Sequence, residues 1–142
     1  MGYKMEDEMY SIRDISNRFD IPASTIRYYE EIGLLENVEH KDGYHRIFNE
    51  SHIERLSAID CFKKSGLPLT EIKQFFEYER NIKENSESIL EMMKQQEQKT
   101  LAKIEDLEIG LANVRRKIKY YSAVDSAIKD GKEIPKWKDV IG

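Results

Sequence analysis

From Tyr10 the chain shows a helical rhythm of apolar positions. Ile12, Ile15 and Phe19 fall on one face at helical spacing, and Ser11 stands before them as an N-cap with Asp14 three residues on. Asp20-Ile21-Pro22 interrupts this helix. Proline suits a first helical turn, where its missing N–H has no intrahelical partner to lose, so Pro22 opens a second helix. That helix runs through Ala23–Glu31 and stops near Gly33. Two short helices joined by a tight turn form a helix-turn-helix unit. The next stretch, Leu34 to Phe48, contains Asp42-Gly43, a hairpin signal because both residues tolerate positive φ. Val38 on one side and Ile47-Phe48 on the other form two short strands, and a hairpin in this place is a wing.

Helical spacing then resumes. A third helix begins at Asn49 or Glu50 and ends at Ser65-Gly66, with Leu56, Ile59 and Phe62 on one face and Ile53 and Cys61 on its flanks. A fourth starts around Pro68 and carries Ile72, Phe75 and Phe76. The polar stretch 81–87 reads as a hinge. Beyond it the apolar positions alternate by three and four: Leu90, Met93, then Ile104, Leu107, Leu111, Val114, Ile118 and Tyr121, with Glu97 and Thr100 interrupting. This is a heptad seam. A helix from Ser88 to Tyr121 is on the order of 50 Å long at the standard rise, more than a small head can cover. Either a second copy of the chain covers the seam or the helix folds back on its own domain; the second copy is the simpler source. Residues 123–142 form a tail that can continue as a short helix through Ile128, in which Gly131 and Pro135 end regular structure and Trp137 seeks a packing partner.

The expected organisation is therefore mainly α. A flexible leader (1–9) precedes a winged helix-turn-helix domain (10–80), a hinge (81–87), a coiled-coil dimerisation helix (88–122) and the tail (123–142).

Composition narrows the function. Charged residues make up 35% and hydrophobic residues 39% of the 142, a balance that fits a helix-rich protein with little spare core. No apolar run approaches the roughly 18 residues of a membrane span, and residues 1–9 lack the basic and apolar regions of a secretory signal, so the expected location is the cytoplasm. The single cysteine, Cys61, cannot form an internal disulfide and leaves cysteine metal clusters short of ligands. His40, His45 and His52 make no paired helical metal motif. No nucleophile elbow, phosphate loop or dinucleotide fingerprint is present, so neither an enzyme, a cofactor nor a bound metal is expected.

Charge speaks against a simple nucleic-acid binder. The net charge is −4, and residues 1–80 alone carry 11 basic and 16 acidic side chains. Any DNA contact must come from a local basic patch.

The run Tyr10-Ser11-Ile12 followed by Ile26-Arg27-Tyr28-Tyr29-Glu30-Glu31-Ile32-Gly33-Leu34-Leu35 resembles the N-terminal signature of the MerR family of bacterial regulators. The likeness continues through Gly43-Tyr44, Arg46 and Phe48, through Ile53-Glu54-Arg55-Leu56, and through the turn Gly66-Leu67-Pro68-Leu69-Thr70-Glu71-Ile72. It covers roughly the first 80 residues; the long helix matches the family's architecture more than its sequence.

The resemblance implies a homodimer joined by an antiparallel coiled coil, bound to a near-palindromic promoter operator. It implies control by twisting and bending the DNA so that RNA polymerase can engage, a mechanism that works on DNA shape. The second helix would enter the major groove. Ser24 and Thr25 are small donors and acceptors, Arg27 can grip a phosphate by a bidentate fork, and Tyr28 and Tyr29 can donate hydroxyls, although Tyr29 fits the core equally well. Tyr44 and Arg46 are the expected wing contacts, and Lys63 and Lys64 reach phosphates further out. Two departures from the family pattern stand out. His45 is interposed between Tyr44 and Arg46 with Phe48 replacing a final Tyr, and Pro68 occupies the place of a capping Ser, a loss of ~1 kcal/mol.

The lack of cysteines after Cys61 argues against the family's metal- and cluster-sensing branches. The stretch Ile59-Asp60-Cys61-Phe62-Lys63-Lys64-Ser65-Gly66-Leu67 resembles small members that respond to aldehydes or other electrophiles through one cysteine on the third helix. Lys63 and Lys64 could then favour the reactive thiolate. The competing view makes Cys61 an inert small core residue. The alternative for the whole chain is a coiled-coil adaptor whose acidic helical head binds protein partners.

Overall fold

The structure is a computed structural model and describes residues 8–142. The expected leader lies, for residues 1–7, outside the described residues. Among the described residues, three short strands and six helices follow one another as β1 (Tyr10–Ser11), α1 (Ile12–Phe19), α2 (Ala23–Glu31), β2 (Glu39–Lys41), β3 (His45–Phe48), α3 (Glu50–Lys64), α4 (Leu69–Arg80), α5 (Ile82–Lys129) and α6 (Trp137–Val140). The described chain divides after Gln96 into two compact units.

Local chemistry sets the boundaries of the first unit. Asp14 N–H donates to Ser11 Oγ at 3.1 Å while Asp14 Oδ2 accepts from Ser11 N–H at 2.9 Å, a reciprocal cap at the start of α1. Asp20 closes α1 in the left-handed region (φ 52°), and Gly33 (φ 83°) and Gly66 (φ 90°) do the same after α2 and α3. Pro22 and Pro68 occupy the N-cap positions of α2 and α4 with no side-chain hydrogen bond, one residue before the first turn in each case.

The wing is the β2–β3 hairpin, turned by Asp42 (φ 55°) and Gly43 (φ 74°). Glu39 rather than Val38 begins its first strand. A third strand, which periodicity did not reveal, completes the sheet in the order β1-β3-β2: Tyr10 and Ser11 pair antiparallel with Phe48 and Ile47. Phe48 is fully buried and joins Ile15, Ile26, Leu34, Leu35, Leu56, Ile59 and Ile72 in one core, closed by Tyr29, Ile53, Leu67 and Phe76. Each such side chain contributes about 1.5–3 kcal/mol on leaving water.

The expected hinge over 81–87 is corrected. Asn81 alone is non-helical (φ −124°, ψ 63°), and residues 82–87 already belong to α5. Asn81 carbonyl oxygen accepts from Glu84 and Asn85 N–H at 3.1 Å each, and Asn85 Nδ2 donates back to Tyr78 carbonyl at 3.3 Å. The joint is thus tied on both sides.

In the second unit α5 runs unbroken past the expected coiled-coil end at 122 to Lys129, taking in the helical tail expected through Ile128, and Gly131 (φ 65°) ends it. Trp137 finds its partner here: its ring lies 5.1 Å from that of Tyr120, whose hydroxyl donates to Pro135 carbonyl at 2.9 Å. Among the described residues, no helix is long and apolar enough to cross a membrane.

Candidate nucleic-acid interface

On α2, Ser24, Arg27 and Tyr28 are exposed and Thr25 is half-buried. Spacings of three and four residues put Ser24, Arg27 and Tyr28 on one face of the helix. The opposite face buries Ile26 and Tyr29. Thus the two tyrosines separate: Tyr28 is 48% exposed and Tyr29 only 2%. The expectation of a DNA-facing hydroxyl is corrected for Tyr29. Its ring packs in the core, and its hydroxyl accepts from Lys63 Nζ at 2.9 Å.

On the wing, Tyr44 stands 85% exposed at the tip. Arg46 is half-buried and turned to α2, where its Nε donates to Glu30 Oε2 at 2.5 Å. The same carboxylate lies 3.6 Å from His40 Nε2, so Glu30 ties both wing strands to the second helix. Alternate strand residues face opposite sides, and His45 is exposed where Arg46 is half-buried.

The lysines that follow Cys61 are engaged by protein groups. Lys63 serves Tyr29, and Lys64 Nζ pairs with Asp60 at 2.8 Å. The hydrogen bond to Asp60 holds the Lys64 ammonium above its ordinary pKa. Cys61 is an exposed free thiol, not a buried core residue.

Behind this face lie polar groups that sequence patterns did not single out. His52 is 4% exposed; its Nδ1 accepts from Asn49 N–H at 3.0 Å and its Nε2–H donates to Glu36 carbonyl at 2.7 Å. It completes a capping box for α3 with Asn49, whose Oδ1 accepts from the N–H groups of Ser51 and His52. Arg55 places its guanidinium 3.7 Å from the Phe76 ring centre and donates from Nε to Leu34 carbonyl at 3.1 Å. Burial lowers its pKa below the usual arginine range, and the nearby Glu36 opposes that shift. Among the described residues no cluster of three or more His, Cys, Asp or Glu could hold a metal ion.

Along α5, Leu90, Ile104, Leu107, Leu111, Val114, Ile118 and Tyr121 are all exposed in the single chain. Met93 differs from the other seam positions, for it packs partly buried against the core of the head.

A helix-turn-helix with an exposed polar helix face, a hairpin wing and a long helix following them in the chain defines a winged-helix DNA-binding regulator. The model of the MerR HTH family regulatory protein matches residues 10–79. The HTH-type transcriptional regulator YfmP of Bacillus subtilis is 31% identical over 102 residues, 71% of each chain. An uncharacterized HTH-type transcriptional regulator of Haemophilus influenzae is 28% identical over 112 residues, 79% of this chain and 83% of that one. Among solved structures, HiNmlR, described as a MerR family regulator lacking the sensor domain and bound to promoter DNA, matches with a TM-score of 0.76. It is 26% identical, with 95% of this chain and 97% of that one covered. A MerR family transcriptional regulator from Bacillus thuringiensis is 33% identical with a TM-score of 0.66, over 78% of this chain and 97% of that one. This chain belongs to the MerR family of transcriptional regulators.

Proposed function

We propose that the chain binds a near-palindromic promoter operator as a homodimer and controls transcription by distorting the DNA between two heads. The observation that carries this reading is the apolar row of α5. Six of its seam positions from Ile104 to Tyr121 are at least 46% exposed in the single chain, with polar neighbours on both flanks. A row of this length at heptad spacing is the surface that a second helix covers. Antiparallel pairing suits its charges. Arg115, Arg116, Lys117 and Lys119 crowd the second half of the seam, whereas Glu105, Asp106 and Glu108 lie in the first. Parallel pairing would set the basic run against its own copy, and like charges so placed repel.

Each head then presents Ser24, Thr25, Arg27 and Tyr28 to the major groove and Tyr44 to the backbone. Arg46 braces the wing through Glu30, and Lys63 and Lys64 flank the contact. That HiNmlR, so similar along nearly its whole length, was solved on promoter DNA supports this reading. RNA polymerase is the partner that reads the distorted promoter. Footprinting of the protein's own promoter region tests the proposal: a protected dyad with hyperreactive bases at its centre is expected, and the absence of any protected dyad would refute it.

Cys61 is the site at which an aldehyde or related electrophile acts in this scheme. Its exposure on the last turns of α3 supports the assignment; Lys63 and Lys64 have other partners, so the thiol's reactivity rests on access. Reporter output on aldehyde challenge should be lost in Cys61→Ser. An undiminished response in that variant would remove Cys61 from the mechanism.

The acidic head favours one other reading, an adaptor that binds proteins. The two differ in their response to salt. DNA binding weakens steeply and linearly with log salt, as counterion release requires.

A further inference from the structure

Among the described residues of α5, Gln96 alone is buried, at 7% exposure. A glutamine in that place is chemically unexpected. A leucine would remove more apolar surface from water, whereas a buried amide costs free energy unless it is hydrogen-bonded. Gln96 meets this requirement through Nε2, which donates to Ser65 carbonyl at 2.9 Å. Ser65 is the C-cap of α3, and its own N–H donates to Cys61 carbonyl at 3.2 Å. The carbonyls at the end of a helix have no partner within it, so Gln96 supplies what the α3 terminus lacks. One turn earlier on α5, Met93 packs on the core of the same head.

We propose that Gln96 is a positioning residue that fixes the register of α5 on the α3–α4 turn and thereby couples the head to the dimerisation helix. An apolar contact such as that of Met93 tolerates sliding and rotation. The amide does not: a shift of one residue along the helix turns it by about 100° and breaks the bond. A buried polar group thus specifies one arrangement at some cost in stability, as single polar residues do in coiled coils. The bond ends on the turn that follows Cys61, so a change at that thiol reaches α5 through Ser65. The proposal rests on the dimeric, DNA-distorting reading above.

The full-length protein with Gln96→Leu and Gln96→Glu tests it. On a promoter fragment carrying 2-aminopurine at the dyad centre, Gln96→Leu should keep its affinity within about threefold while the distortion signal changes at least about fivefold, the value of one net hydrogen bond. Gln96→Glu has the same size but cannot donate while ionised. It should behave like Gln96→Leu near neutral pH and return towards wild type as acid protonates it, a profile that a mere packing defect would not give. Hydrogen exchange of the free protein separates this idea from the function it rests on. If wild type binds without distorting DNA, the promoter mechanism fails, yet faster exchange at Ser65–Leu69 in both variants would still uphold the joint. Unchanged exchange together with unchanged distortion, or affinity and distortion falling in parallel, would overturn it.

Discussion

Glu30 of the second helix holds Arg46 of the wing, its Oε2 2.5 Å from the arginine Nε. The pair joins the second helix to the wing, and both side chains are about three-quarters buried. In Glu30→Ala the wing loses this tie and that to His40. The expected loss of stability is about 1 kcal/mol, near the upper end for partly solvated pairs. A double-mutant cycle with Arg46→Ala in urea should return a coupling of at least about half that amount. Additive single effects would show that the pair does not brace the wing.

Arg27 is exposed beside Ser24 and Tyr28 on α2. If it neutralises one phosphate per head, Arg27→Ala in a dimer should release about two fewer counterions on binding. The slope of log affinity against log salt should then fall by roughly 1.8. Binding isotherms at several salt concentrations read this directly; a weaker complex with an unaltered slope would place Arg27 away from the backbone.

His52 buries an imidazole whose two nitrogens serve two backbone groups, Asn49 N–H and Glu36 carbonyl. His52→Leu keeps the apolar bulk beside the Phe48 ring but leaves both groups without this partner. The expected cost is about 2–3 kcal/mol, measured by denaturant unfolding, since each orphaned buried group loses its full desolvation compensation. A cost below about 0.5 kcal/mol would mean that water replaces the ring at both ends.

Asp14 titrates below its ordinary value of 3.8 because the Ser11 N–H donates to its carboxylate. A depressed carboxylate pKa contributes stability that is fully present above the unfolded value and is lost as pH falls through the folded one. The acid limb of the stability curve, below about pH 4, should therefore flatten in Asp14→Asn, which keeps an acceptor oxygen but does not titrate. Urea midpoints taken across that limb check this, and parallel limbs for the two proteins would refute it.

How much of this was legible in the sequence depends on how far each interaction reaches. The Ser11–Asp14 cap, the Asp42-Gly43 turn and the seam of α5 are local patterns, and the chain spells them out. Strand β1 is only two residues long and exists because Tyr10 and Ser11 pair with β3, some 37 residues away along the chain. No periodicity announces such a strand. His52 looked like one histidine among three because its partner, Glu36 carbonyl, lies 16 residues off. The assignment of Tyr28 outward and Tyr29 inward needed the helix phase that the core imposes. The polar run 81–87 imitates a hinge because it lacks an apolar face, yet Lys83, Glu84 and Glu87 are good helix formers and continue α5 on a solvated surface. Gln96 was hidden for the opposite reason: a polar residue within a heptad pattern reads as an interruption, not as a buried donor.

Leu107 and Ile109 offer the sharpest test of the dimer. Both are exposed in the single chain, at 73% and 58%. In the register that runs Ile104, Leu107, Leu111, Val114, Leu107 lies on the seam, whereas Ile109 falls on the face away from it. Leu107→Asp should bury an unpaired carboxylate in the dimer, twice by symmetry, and shift the monomer–dimer equilibrium by several kcal/mol, on the order of 100-fold or more. Ile109→Asp makes the same chemical change two residues away and should leave the equilibrium within about threefold of wild type. Sedimentation equilibrium measures both. The monomeric variant should also lose operator affinity far beyond what a single head can account for, because two half-sites held together act as one ligand. Equal effects from the two aspartates would mean that the seam is not the interface, and equal indifference would mean that another surface makes the dimer.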